Sequence, residues 1–256
     1  MSLLSRHLLG EDGSPDDPPI IYAVDVSVWS RCDAEASPKR GYYYHPSRHP
    51  AGRPIVAGWA YQIVAELGFE RECWVAPVDA RGVRPAGDTE EASVEQIRAL
   101  LGRLPEPEAV PIFVFDTGYD PVKLQRRLEG CPAQILLRLH SNRVFYAEPE
   151  SSFPRPVGRP RPHGSKFDLK DPATWPEPSA EHRYESDVYG SVRVRCWAGL
   201  PPKTRRMGER YRCERAPIVG GCVVLVEMGK LPRQTRKPKK LWLWWSGQSE
   251  TDLDLL

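Results

Sequence analysis

Apolar residues are concentrated in short runs that are typical of buried strands, and two of these runs end in an aspartate. Residues 20–28 contain the first, in which four apolar residues lead into Asp25. Residues 111–115 form the second, which leads into Asp116. A carboxylate at the end of an apolar strand is open to solvent while its backbone stays rigid. Both aspartates are therefore candidates for a functional site.

The pattern between the two aspartates predicts two more strands before the next helix. Residues 55–64 and 71–78 have strand character, and Gly68 lies between them where a hairpin needs a turn. Residues 29–54 break the pattern and are rich in aromatic residues and His, so we predict a loop there.

Helical spacing returns at Thr89. Gly102 follows the last turn of this helix, whose apolar stripe consists of Val94, Ile97, Leu100, Leu101 and Leu104. After the strand that ends at Asp116, a second helix is predicted with Asp120 as its N-cap and Pro121 at its first position. Residues 134–139 form another short strand. This order of strands and helices resembles that of ribonuclease H-like folds, in which the first and fourth strands are neighbours.

The character of the chain changes after residue 140. Residues 149–178 contain eight prolines, which exclude long helices there. Residues 183–226 show short alternating runs typical of strands, and residues 241–245 form a last strand. We therefore predict an α/β protein with a ribonuclease H-like mixed sheet core, interrupted by a β-rich, basic, Pro-rich insertion. The predicted boundaries are a flexible lead-in over 1–19, the core over 20–140, the insertion over 141–240, and a return strand with the start of a helix over 241–256.

Charge is distributed unevenly along the chain although the net charge is only +2. From Arg138 to Lys240 there are 22 Lys and Arg against 11 Asp and Glu, whereas the rest of the chain has 14 basic and 23 acidic residues. A basic region of this kind indicates a polyanionic partner. The residues of a dense basic patch that we expect to contact DNA phosphates are Lys203, Arg205, Arg206, Arg210 and Arg212.

Asp25 and Asp116 suit the chemistry of phosphodiester cleavage if the fold brings them together. Two Mg²⁺ ions held by carboxylates can activate an attacking oxygen and stabilise the leaving one. Hard cations of this type prefer oxygen ligands. We therefore expect both aspartates to be catalytic and metal-binding, with Mg²⁺ or Mn²⁺ as the cofactor. The alternative from the pattern alone is that both are ordinary strand-end or turn residues.

Several separated motifs resemble the DDE-type transposases of bacterial insertion sequences. They are residues 22–27 (YAVDVS), 113–120 (FVFDTGYD), 136–143 (LLRLHSNR) with Tyr146, and 241–247 (LWLWWSG). The resemblance implies Mg²⁺-dependent DNA cleavage and strand transfer, with Asp25 and Asp116 as the first two catalytic acids. It also implies DNA ends and target DNA as partners, with Arg138 and Arg143 beside the strand after Asp116 facing the DNA; a solvated strand end is the alternative for these two residues. A homodimer is one state that the protein could adopt.

The third acid of that family, a glutamate in a Tyr/Arg/Glu motif on a helix after the insertion, has no counterpart here. Glu250, Asp252 and Asp254 lie in the right region without the aromatic and arginine context. We therefore expect a chain truncated before the third acid, with weak or no activity. Two alternatives remain open: a non-catalytic DNA-binding protein that uses the basic insertion, and a related nuclease whose third acid comes from residues 250–254.

The remaining sequence features indicate a cytoplasmic protein. The six cysteines form no CxxC pair and match no common zinc spacing, so we expect free thiols. No apolar run approaches the roughly 20 residues of a membrane helix, and we expect no membrane partner.

Overall fold

The structure is a computed structural model of the chain. It describes residues 20–45, 52, 54–68, 75–85, 87, 89–104, 110–147, 164–201, 220–231 and 240–247. The chain divides into two compact units, residues 1–134 and residues 135–256. No helix among the described residues is both long and apolar enough to cross a membrane.

The first unit contains a mixed sheet and two helices. Its elements are β1 (Ile21–Ser30), β2 (Gly41–Tyr44), β3 (Ile55–Leu67), β4 (Ala76–Val83), α1 (Thr89–Leu101), β5 (Ile112–Phe115) and α2 (Pro121–Arg127). β3 pairs antiparallel with β1 on one side and with β2 and β4 on the other, and β5 pairs parallel with β1. The predicted contact between the first strand and the strand before Asp116 is confirmed.

The predicted loop over residues 29–54 is wrong in part, because it contains β2 and the last residues of β1. Tyr42–Tyr44 are aromatic residues that favour extended backbone, and they pair with residues 55–57 of β3. β4 also begins later than predicted, at Ala76, and residues 69–74 lie outside the described part of the chain.

Helix α1 covers one face of this sheet. Gln62 of β3 donates a hydrogen bond from Nε2 to Ser93 Oγ of α1, and Gln96 Nε2 donates to the carbonyl oxygen of Gln62 at 3.2 Å. Because side chains alternate along a strand, the opposite face carries the neighbouring positions of β1. Three of these, Asp25, Ser27 and Trp29, are exposed.

The described elements of the second unit are almost all strands. They are β6 (Gln134–Arg138), β7 (Val144–Tyr146), β8 (Lys166–Asp168), β9 (Ala180–Ser186), β10 (Gly190–Ala198), β11 (Cys222–Met228) and β12 (Lys240–Trp245), with a short 3₁₀ turn at Pro172–Thr174. β6, β12, β11, β10 and β9 follow one another as antiparallel neighbours, and β7 pairs with β8. The predicted strands of this half are observed where the structure describes it.

Tryptophan side chains form the core of the second unit. The three tryptophans of β12, Trp242, Trp244 and Trp245, are 6%, 0% and 0% exposed. Trp244 stacks on Phe145 with ring centroids 5.8 Å apart. Their burial shows that these rings pack in the core. The predicted start of a helix after β12 lies outside the described residues.

Candidate active site

The pairing of β1 with β5 places the two aspartates side by side. The parallel register runs from Ile21 opposite Ile112 to Val24 opposite Phe115. Asp25, in the middle of β1, and Asp116, the residue after β5, come next in this register, so they occupy matching positions at the point where β5 ends. Neighbouring strands lie about 4.8 Å apart, and matching positions share a face of the sheet. Both carboxylates therefore meet at one edge of the first unit.

Each aspartate is anchored locally by the backbone. Asp25 Oδ1 accepts a hydrogen bond from the Val26 N–H at 2.8 Å, and Asp116 Oδ1 accepts one from the Thr117 N–H at 2.6 Å. Both residues are exposed, and neither is ion-paired with a Lys, Arg or His of the described residues. One oxygen of each carboxylate is thus held in place, and among the described residues no cation balances the charge of the pair.

Tyr119 is the buried neighbour of this pair. Its side chain is 5% exposed, and its ring meets that of Phe115 edge-on, with centroids 5.0 Å apart. Burial raises the pKa of the Tyr119 phenol far above its usual value, and the negative charge of Asp25 adds to the rise. Glu90 and Asp116 act in the same direction, whereas the neighbouring Ser93 opposes the rise. The phenol therefore stays protonated at neutral pH, next to several carboxylates.

Glu90 is a third carboxylate that acts on the Tyr119 hydroxyl, but its own charge is balanced. It lies in the first turn of α1, and its side chain is 13% exposed. Glu90 Oε2 is 3.5 Å from Lys123 Nζ of α2. The next residue, Glu91, pairs with Arg127 of α2 at 3.2 Å. These two ion pairs join the helices, whereas no such ion pair is found for Asp25 or Asp116 within the described part of the chain.

The donor set at this edge fits a hard divalent cation. Two carboxylates held on adjacent strands repel each other unless a cation lies between them, and carboxylate oxygens are the ligands that Mg²⁺ and Mn²⁺ prefer. Within the described ranges no group of three or more His, Cys, Asp and Glu side chains is placed to hold a metal ion. The described ligands are therefore the two aspartates alone.

The predicted DNA-contacting residues do not all fall within the structure. Arg138, at the end of β6, is exposed, and Arg143 is half-buried in the turn before β7. Both belong to the second unit. The other predicted contacts, Lys203, Arg205, Arg206, Arg210 and Arg212, lie outside the described residues, as do Glu250, Asp252 and Asp254.

The cations on the sheet of the second unit are largely paired with acids. Glu227 contacts Arg195 at 2.7 Å and Lys240 at 2.9 Å. Glu181 contacts Arg183 and Arg193, each at 2.6 Å. The excess positive charge of residues 138–240 therefore comes mainly from segments between the described strands, which hold 13 Lys and Arg against 4 Asp and Glu.

Sequence reasoning did not single out Tyr119 and Glu90. Tyr119 follows Asp116 by three residues, and an aromatic residue so soon after a strand-end carboxylate is a usable signal. Glu90 was apparent only as a helix-start acid. Its proximity to the same hydroxyl depends on how α1 packs on the sheet, which local sequence does not specify.

Three comparisons relate the chain to known proteins. A family model described as DDE superfamily endonuclease matches residues 4–196, about three quarters of the chain. Among solved structures, the chain is similar to a piggyBac transposase in a synaptic complex with hairpin DNA, with 13% identity and a TM-score of 0.37. That similarity covers 91% of this chain and 34% of the other, so the chain spans about a third of that protein's length. A comparison with curated proteins finds no match.

Proposed function

Because this chain belongs to the DDE superfamily endonuclease family, we propose that it is a DNA transposase that cleaves DNA and transfers strands, with Asp25 and Asp116 at its reaction centre. The observation that carries the proposal is the register of β1 and β5, which ends at Val24 opposite Phe115. It supports a shared role for the two aspartates because residues 91 positions apart in sequence come to adjacent positions of one sheet.

Asp25 and Asp116 would hold the divalent cations through their carboxylate oxygens. When bound, Mg²⁺ or Mn²⁺ supplies activation of the attacking oxygen and stabilisation of the leaving 3′-oxygen. The protein contributes rigid placement, because both carboxylates stand on paired strands and accept hydrogen bonds from the backbone. Placement of this kind matters for phosphoryl transfer, in which positioning and charge stabilisation supply most of the rate enhancement.

Tyr119 limits the negative charge at this edge. Its protonated phenol adds no further anion beside the two aspartates, and its buried ring packs on Phe115 of β5. Replacing it with a group that ionises at neutral pH would increase the repulsion that the cations must offset.

The proposed fold is ribonuclease H-like. It is supported by three antiparallel strands, β1, β3 and β4, followed by a helix and by β5 parallel to β1. In this proposal residues 141–240 form a basic insertion that contacts the phosphates of DNA ends and target DNA. Arg138, Arg143 and the basic residues between Lys203 and Arg212 would make these contacts.

Nicking of supercoiled plasmid by the purified chain tests the proposal. We expect weak nicking in Mn²⁺ or Mg²⁺, because the described residues bring together only two of the three acids, and none in EDTA. Asp25→Asn and Asp116→Asn should each lower the rate by about a thousandfold or more, because each removes a metal ligand. Asp187→Asn is the matched control, since Asp187 is an exposed aspartate in the turn between β9 and β10. It should cleave like the wild type.

Two outcomes would count against the proposal. Nicking that both aspartate variants retain would show that cleavage occurs elsewhere or comes from a contaminant. The other outcome is a wild type that binds DNA in a salt-sensitive way but never cleaves it, with the same DNA affinity in Asp25→Asn and Asp116→Asn. This would favour a non-catalytic DNA-binding protein.

A further inference from the structure

An exposed row of aromatic rings lies on the same face of the first unit's sheet as the two aspartates. Trp29 pairs with Trp59 across β1 and β3, and Tyr42 and Tyr44 pair with residues 57 and 55 of β3. Positions 55, 57, 59 and 63 of β3 share one face because side chains alternate, and position 63 pairs with Asp25. We call Trp29, Tyr42, Tyr44 and Trp59 the aromatic face.

These rings are far more exposed than aromatic side chains usually are. Trp29, Tyr42 and Tyr44 are 54%, 72% and 54% exposed. On the other face of the same strands, Val24, Val56 and Val64 are each no more than 2% exposed, since α1 covers that face. A cluster of large, solvent-exposed apolar side chains indicates a surface that binds a partner.

The geometry of the rings suits flat ligands that stack. Trp29 and Trp59 have ring centroids 5.9 Å apart, tilted by 47°. The Trp59 indole is oriented by its Nε1–H, which donates to the carbonyl oxygen of Pro38 at 3.1 Å. Arg31 Cζ lies 5.8 Å from the Trp29 ring, and the same guanidinium is held by Asp33. An indole beside a planar guanidinium is a surface on which nucleobases stack.

The aromatic face lies within a few residues of the proposed reaction centre along β1. Trp29 is four residues beyond Asp25 on β1, and Ser27 lies between them on the same face. Four residues of a strand span about 13 Å, the length of a few nucleotides. A DNA strand with its phosphodiester at Asp25 and Asp116 would therefore reach the aromatic face with its neighbouring bases.

We propose that the aromatic face binds unpaired nucleotides next to the cleavage site, by stacking their bases on Trp29, Tyr42 and Tyr44. This inference rests on the proposed function, because it takes DNA as the polymer held at Asp25 and Asp116. Stacking requires the flat face of each base, so the proposal concerns single-stranded or flipped-out nucleotides rather than an intact duplex. Such contacts are tolerant of sequence because every base has such a face.

Binding of labelled oligothymidylate to the full chain in EDTA tests the proposal without requiring cleavage. Trp29→Ala and Tyr42→Ala should each weaken single-strand binding about five- to hundredfold, the range found for loss of one stacking ring. Trp29→Phe and Tyr42→Phe keep a ring and should retain most of the affinity. Binding of a duplex of the same length should change much less.

Ile55→Ala is the matched control. Ile55 is on the same face of β3, is 57% exposed and has no ring. We expect it to bind oligothymidylate like the wild type. An equal loss of affinity in Ile55→Ala would overturn stacking and indicate a general apolar docking surface. Unchanged affinity in both Tyr42→Ala and Trp29→Ala would overturn the proposal directly. Tyr42, the most exposed ring, keeps the test valid if Trp29→Ala does not fold.

The two proposals fail separately. Asp25→Asn should leave oligothymidylate binding in EDTA intact while abolishing nicking. If the wild type never nicks DNA but Tyr42→Ala weakens single-strand binding, the proposed function is contradicted and the proposal for the aromatic face is supported. If the wild type nicks DNA in a reaction that requires Asp25, and the ring variants bind oligothymidylate and nick like the wild type, only the proposal for the aromatic face is contradicted.

Discussion

Val24 of β1 and Phe115 of β5 lie opposite each other as the last residues in register between these two strands. Both are almost fully buried, at 1% and 2% exposure. The residues that follow them, Asp25 and Asp116, are exposed. Sheet pairing, rather than any bond between the two carboxylates, therefore holds the candidate active site together.

Divalent cations should stabilise the wild type against heat. A cation that binds only the folded pair contributes about 1.4 kcal/mol at roughly ten times its Kd, which corresponds to about 3–6 °C for a chain of this size. Thermal melts with and without Mn²⁺ measure this. The cation should not raise the melting temperature of Asp25→Asn or Asp116→Asn, whereas it should raise that of Asp187→Asn as it does that of the wild type. An equal increase in all four proteins would show that the cation binds elsewhere.

The N-cap of α2 should contribute measurably to stability. Asp120 Oδ1 accepts hydrogen bonds from the Val122 N–H at 3.0 Å and the Lys123 N–H at 3.2 Å. Asp120→Ala removes both and should lower the free energy of unfolding by about 1 kcal/mol, as measured by urea denaturation. Asp120→Asn keeps an oxygen acceptor and should recover most of the loss. Identical midpoints for the wild type and Asp120→Ala would show that the cap contributes nothing.

Glu66 should destabilise the fold at neutral pH. It is 8% exposed on β3, opposite Tyr22, and burial raises the pKa of its carboxyl. The pKa of Tyr22 is likewise raised, to about 12, by burial and by the charge of Glu66. This environment disfavours negative charge, so Glu66→Gln should be more stable at pH 7 by on the order of 1 kcal/mol.

The pH dependence of Glu66→Gln follows from the direction of its pKa shift. A folded-state pKa above the unfolded value means that the wild type has its full stability below the unfolded pKa and loses some as pH rises through the folded pKa. The advantage of Gln should therefore vanish in acid and appear as the pH rises. Denaturation of both proteins across this range measures it. A gain that persists unchanged in acid would rule out ionisation of Glu66 as the cause.

Glu227 should show the opposite pH dependence. Its carboxylate is buried, which acts to raise its pKa, but Lys240 and Arg195 outweigh burial and hold the pKa below its usual value. Arg195 in turn stacks over Trp175 and Trp197, each with 5.4 Å between Cζ and the ring centroid. Glu227→Gln leaves these cations without their counter-charge and should cost about 1.5–3 kcal/mol at pH 7.

The loss in Glu227→Gln should shrink in acid. With a folded-state pKa below the unfolded value, the ion pairs stabilise the protein above the unfolded pKa, and that stability is lost as pH falls through the folded pKa. Chemical denaturation at neutral and acid pH tests the sign. Glu185→Gln, at an exposed position of β9, is the control and should change little at either pH. A loss independent of pH would point to packing rather than charge.

The elements that could be predicted are those whose signals lie within a few residues. Helix α1 followed from its apolar spacing, and the cap of α2 from Asp120 before Pro121. The strand before Asp116 and the first half of β1 followed from their apolar runs, whereas β1 continues past Asp25 to Ser30. By contrast, β2 was missed because Tyr42 and Tyr44 face solvent, and it is a strand by virtue of its pairing with β3.

The amino-acid sequence by itself determined most of the strands and helices and the N-cap of α2, because propensity, periodicity and capping act between near neighbours. Only the tertiary structure decided that Asp25 and Asp116 share one edge and that Tyr119 and Glu90 lie near it. It also decided that the rings of the aromatic face lie on the same face of the sheet as the aspartates. These relations depend on register between strands far apart in the chain, and a shift of one residue would turn every side chain of a strand to the other face.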